Sequence, residues 1–115
     1  MKNISEKQYI KRFYKLVQEL QKAGVQPDII ILRTEHHVSD ELKRKVALFC
    51  NVDQNAVIQS EDASSIYRVP LNMQAEHLDE VVLKKTGFDL SKVKEADMAH
   101  WNAFLQKLES ATAPV

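Results

Sequence analysis

Gln26–Cys50 reads QPDIIILRTEHHVSDELKRKVALFC, and this stretch decides the fold. It begins apolar at Ile29-Ile30-Ile31-Leu32, which predicts a strand over 28–32. Four consecutive large apolar residues suit a strand covered on both faces, as in a parallel sheet flanked by helices. The run then turns polar and charged at Arg33-Thr34-Glu35-His36-His37 before a helical pattern opens near Ser39. In open α/β sheets, ligands sit beyond the carboxyl ends of the strands, so these ionisable side chains form a candidate functional edge.

Helical and extended patterns alternate on either side. Ile10, Phe13, Tyr14, Val17 and Leu20 recur at spacings of three and four over 5–23. Ser5 with Gln8 has capping-box spacing, and Gly24 fits as the stop. The helix after the strand spans 40–50, with Ser39 or Asp40 as its cap and Asn51 as its stop. Leu42, Val46 and Phe49 or Cys50 mark its expected buried stripe. Ala56-Val57-Ile58 predicts a second strand, with Ser60-Glu61-Asp62-Ala63-Ser64 at its carboxyl end.

A helical turn over 64–68 is expected to end before Pro70, followed by a helix over 71–86 that buries Leu78, Val81 and Val82 and stops at Gly87. A last helix over 96–109 carries Met98, Trp101, Phe104, Leu105 and Leu108, and the tail 112–115 is expected to be loose. The fold class is α/β: a small parallel-sheet βαβ fragment with a helix-rich C-terminus, its crossover expected to be right-handed. Two or three strands need further cover, which points to part of a larger α/β domain or to a subunit that pairs.

The 115 residues suffice for one core, and 44% hydrophobic with 28% charged content is that of a globular protein. Sixteen basic residues balance 16 acidic ones, so no long-range field draws nucleic acid or an anionic membrane. The longest apolar run is too short to span a bilayer, and Met1–Lys7 lacks the apolar core of a secretory signal. One cysteine, Cys50, excludes an intramolecular disulfide, and a cytoplasmic location is expected. Gly24 and Gly87 are the only glycines, so neither a GxxxxGK[ST] nor a GxGxxG phosphate loop exists within the chain.

Adjacent His36 and His37 lack the i, i+4 spacing of a helical metal site, and the expectation is exposed loop histidines and no metal. Cys50 ends an apolar stripe near a helix C-terminus, where a buried structural thiol is expected rather than a nucleophile. Lys43-Arg44-Lys45 reads either as a solvated helix face or as a phosphate contact. Glu61-Asp62-Ala63 reads either as a polar turn, with Asp62 capping a helix from Ser64, or as backbone that meets a nucleotide base at the sheet edge.

The words QPDIII-RTEH, S-ELKRKVALFC, AVIQ and SIYRVPL closely resemble the C-terminal part of the synthetase (amidoligase) domain of CTP synthase. The resemblance runs from about Glu19 to Leu105 and is densest over 26–71. It implies a three-layer, P-loop-type, dethiobiotin-synthetase-like parent fold. It also implies a partial synthetase-like domain over 1–95 and a linker-like helix and tail over 96–115. Enzymes of that family convert UTP to CTP with ATP and glutamine-derived ammonia. By resemblance Lys45 and Phe49 contact the pyrimidine nucleotide, and Glu61, Asp62 and Ala63 contact ATP.

The family's KTKPTQ-like element is replaced here by Tyr9-Ile10-Lys11-Arg12-Phe13-Tyr14, where only Lys11 falls on one of its lysines. The family's P-loop, magnesium carboxylates and glutaminase domain have no counterpart in these residues. The chain is therefore expected to be inactive by itself and to bind no cofactor tightly, although the parent family uses ATP and magnesium. Its expected partners are a second copy of itself or the remainder of a CTP synthase. UTP, CTP and ATP are expected to bind weakly if at all, and neither nucleic acid nor membrane is expected.

Overall fold

Serine hydroxyls and one asparagine set the helix limits in the first half of the chain. In a computed structural model of the protein, residues 5–111 are described, so the expectation for the tail 112–115 lies outside the described residues. Ser5 caps α1 (Glu6–Lys22) with both halves of a capping box: its Oγ accepts the Gln8 N–H, and the Gln8 side chain accepts the Ser5 N–H. Gly24, at φ 86°, supplies the left-handed turn that lets Val25 N–H return to the Leu20 carbonyl.

Ser39 caps α2 (Asp40–Cys50) by accepting the Leu42 N–H at 3.1 Å, and Asn51 ends it in the left-handed region at φ 56°. Ser39→Ala is expected to cost about 1 kcal/mol, because that N–H then loses its partner. A thermal or urea unfolding curve unchanged from the parent protein would refute this.

Between the helices runs β1 (Ile30–Thr34), paired in parallel with β2 (Val57–Glu61) from Ile30↔Val57 to Thr34↔Glu61. Both strands lie further along the chain than hydropathy predicts. Arg33 and Thr34 belong to β1, and Gln59, Ser60 and Glu61 belong to β2. The reason is that ladder bonds, not apolarity, define a strand, and the Asp62 N–H still reaches the Thr34 carbonyl at 2.9 Å. A 3₁₀ turn, Gln54–Ala56, leads into β2.

The β1-α2-β2 unit is the α/β arrangement expected, but β1 is not covered on both faces. Ile30 and Leu32 join Val17 of α1 with Val46, Ala47 and Cys50 of α2 in one buried cluster with Val38 and Val57. Both helices thus pack on one face of β1, and Ile31, pointing the other way, stays 46% exposed. On α2 the buried stripe takes Cys50 and leaves Phe49 exposed.

The chain divides into two compact units, Met1–Asp62 and Ala63–Val115. In the second, Ser65 accepts the Tyr67 N–H at a 3₁₀ turn, Ile66–Arg68, so Ser65 and not Asp62 is the capping residue there. That turn ends before Pro70, as expected, and Pro70 itself sits in the first turn of α3 (Val69–Ala75), two residues before the expected start, where its missing N–H costs nothing.

The helix expected over 71–86 is two helices, because His77 adopts φ 62° between α3 and α4 (Leu78–Lys85). Histidine is among the few non-glycine residues enriched in that region. Val81 is buried in α4, whereas Val82 is exposed. A 3₁₀ turn, Leu90–Lys92, follows, and two Ser91 hydrogen bonds hold the Asp89 carboxyl below its ordinary value.

The last helix, α5 (Ala99–Ser110), starts three residues later than expected, with the Asp97 side chain accepting the Ala99 N–H. Trp101 Nε1 donates to the Tyr67 carbonyl at 2.7 Å, Arg68 pairs with Glu109, and the Tyr67 and Phe104 rings meet edge-on at 5.3 Å. Among the described residues, no helix is long and apolar enough to cross a membrane.

Candidate functional site

Residues four apart on two adjacent helices build a groove in the first unit. On α1, Lys7, Ile10, Lys11 and Tyr14 fall on one flank, and on α2, Lys45 and Phe49 stand one turn apart. With Ser5 they line a groove of about 740 Å³, within the range that holds small molecules. The Tyr14 and Phe49 rings meet at 6.0 Å and 66°, giving the groove an aromatic wall. Lys45 Nζ lies 3.3 Å from Glu41 Oε1, one turn back on α2. Three ammonium groups beside two rings suit a planar anion chemically.

The carboxyl ends of the strands form a separate cluster. Arg33 Nη2 meets Asp62 Oδ1 at 2.7 Å, and its Nη1 donates to the Ser60 carbonyl at 3.2 Å. Gln59, 8% exposed, accepts the buried Val38 N–H and donates to Glu61 Oε2 at 3.1 Å. Its amide nitrogen also lies 3.2 Å from His37 Nδ1, which stands 4.0 Å from Glu61. Thr34 Oγ1 is buried there with no hydrogen-bond partner among the described residues. The Tyr9 hydroxyl donates to the Arg33 carbonyl at 3.3 Å, and burial pushes its pKa above the ordinary tyrosine value.

Lys11, Lys45 and Phe49, separated in sequence, therefore share one groove. Glu61 and Asp62 do not line it; they close the end of β2. The Asp62 backbone N–H is spent on Thr34, and its carboxylate is held by Arg33. Ala63 opens the second unit. Lys45 faces the α1 side of α2.

Ser5, Lys7, Ile10 and Tyr14 were not legible as lining residues, since Ile10 and Tyr14 look like members of a buried stripe. The i, i+4 repeat of Lys7 with Lys11 beside Tyr14 was the available signal. His36 and His37 are exposed, and no group of three potential metal ligands converges among the described residues. Cys50 is buried, which raises its thiol pKa and keeps it a poor nucleophile.

Comparison with known proteins gives this geometry its context. The family model described as CTP synthase N-terminus matches residues 1–88, which takes in all of α1 as well as the stretch from Glu19. A CTP synthase of Bacteroides fragilis is 52% identical over 99 residues, covering 86% of this chain and 18% of that protein. One from Porphyromonas gingivalis is 46% identical over 99 residues, with the same coverage. One from Flavobacterium johnsoniae is 52% identical over 94 residues, covering 82% of this chain and 17% of its own. The chain thus spans under a fifth of the length of the curated relatives it matches. With a model match over most of its length and identities near one half, the chain belongs to the CTP synthase N-terminus family.

Proposed function

We propose that this chain is a relative of CTP synthase corresponding to part of its N-terminal, synthetase region, and that it carries one wall of a nucleotide site without catalysing amination of UTP by itself. The observation that supports this reading is the shared groove of Lys11, Lys45 and Phe49, which can face a pyrimidine nucleotide. Against activity by this chain alone stands its glycine content: two glycines far apart make no phosphate-cradling loop. Glu61, Asp62 and Ala63 are the residues proposed to meet ATP in a completed site, with magnesium brought by that completed site. A cytoplasmic location belongs to the same proposal.

Calorimetry tests it. ATP, UTP and CTP are each expected to bind no tighter than roughly millimolar, because most phosphate contacts are missing. No CTP is expected to form from UTP, ATP and ammonia. Micromolar CTP binding that disappears in Lys45→Ala would overturn this reading in favour of a nucleotide sensor.

A second reading, supported by the exposed Ile31 on a two-stranded parallel sheet, is an interaction protein that pairs with itself or with a full-length CTP synthase. Co-purification with a CTP synthase would support it.

A further inference from the structure

The hydrogen-bond phase of β1 determines what its free edge offers. Thr34 gives its carbonyl to Asp62 N–H of the neighbouring chain segment, and alternate residues of a strand bond to the same side. Ile30, Leu32 and Thr34 therefore spend their main-chain groups on β2. Ile31 and Arg33 turn theirs to the other edge, where the sheet has no further strand among the described residues. Among the described residues, one of the four outward groups is occupied: the Arg33 carbonyl accepts the Tyr9 hydroxyl at 3.3 Å. Phe13 backs the Tyr9 ring at 5.0 Å.

We propose that the free edge of β1 is a strand-pairing surface for a second copy of this chain, and that Tyr9 holds it closed. The edge is self-complementary. In an antiparallel pairing about a two-fold axis at Leu32, Ile31 of each copy faces Arg33 of the other, and the two pairs exchange four N–H···O bonds. Two of the four acceptors are the Arg33 carbonyls, the groups that Tyr9 covers. On the open face, each Ile31 lies across from an arginine stem of the second copy rather than across from a like charge.

Each Arg33 guanidinium stays neutralised by its own Asp62. Unpaired edges are templates for other chains, and blocking one acceptor with a side chain is an economical guard. This deepens the self-association reading; nucleotide titration does not touch it, so the two fail separately.

Sedimentation velocity across a wide concentration range tests it on the full chain. Tyr9→Phe keeps the ring and frees the carbonyl, and is expected to raise the self-association constant about tenfold. Hydrogen exchange should then show the Ile31 and Arg33 amides newly protected in the associated species. Adding Ile31→Pro removes an outward N–H but no ladder bond to β2, and is expected to return association to the parent level. Tyr9→Phe protein that sediments like the parent at every concentration overturns the proposal. So does Tyr9→Phe/Ile31→Pro protein that associates as strongly as Tyr9→Phe while keeping its far-UV circular dichroism. If the double variant loses that signal, exchange at Ile31 and Arg33 in Tyr9→Phe decides: unprotected amides overturn the proposal.

Discussion

Leu32→Ala is expected to cost about 2–5 kcal/mol, the largest single effect of any substitution considered. Leu32 is 0% exposed and belongs to the cluster that joins α1, α2 and both strands. Truncation removes apolar contacts from both helices at once and leaves a cavity that a parallel ladder cannot close by sliding. Against a total stability of about 5–15 kcal/mol, that loss is a large fraction. Trp101, the only tryptophan, lies in the second unit, so its fluorescence reports there while far-UV circular dichroism reports helices in both. The dichroism midpoint in urea should fall by at least about 1 M. An unchanged midpoint would mean that the Ile30/Leu32 face is not the core of the first unit.

How far the fold could be read from the residues depended on which force sets each boundary. Side-chain caps are local, so Ser5 with Gln8, Ser39 and Asn51 marked helix limits within a residue. Strand limits are set by a partner elsewhere in the chain, and apolarity ended at Leu32 while pairing ran on to Thr34. The break between α3 and α4 left a trace that was passed over. Asp79 and Glu80 followed by Lys84 and Lys85 is the charge order of a complete short helix, acidic at its start and basic at its end. The turn before Pro70 ends where expected, but the next helix begins two residues early, at Val69, because proline forbids a helix interior and not a first turn.

The candidate site was half legible for a related reason. Lys45 and Phe49 lie one turn apart, and that spacing is visible in sequence. Their opposing wall was not, because periodicity identifies an apolar stripe without saying which flank meets a neighbour. Val17 is buried in that stripe, while Tyr14 is 40% exposed at the groove. The charged run from Arg33 to His37 looked like an open functional edge. In the fold Arg33 is tied to Asp62 and Ser60, and His37 leans on Gln59 and toward Glu61. Those partners come from β2 and the residue that follows it, so only the parallel register could reveal them.

Gln59 gives the second large expected effect, and its role had no sequence signal beyond its place in the word AVIQ. Its carbonyl oxygen accepts the buried Val38 N–H, and its amide nitrogen donates to Glu61. Gln59→Leu keeps the volume but orphans that N–H, and is expected to cost about 1–3 kcal/mol. Gln59→Glu separates the acceptor from the donor function. The new carboxyl would sit where Gln59 Nε2 lies 3.1 Å from the Glu61 carboxylate, in a site only 8% exposed. Burial and the like charge both raise its folded-state pKa above the unfolded value. A group shifted that way contributes fully below its unfolded pKa and loses that contribution as pH rises through the folded pKa. Gln59→Glu should therefore be destabilised at neutral pH and recover toward the parent at about pH 5, whereas Gln59→Leu should not recover. Urea midpoints of the three proteins at both pH values separate the cases. If the two variants keep the same gap from the parent at both pH values, Gln59 is not a hydrogen-bonding link between Val38 and Glu61.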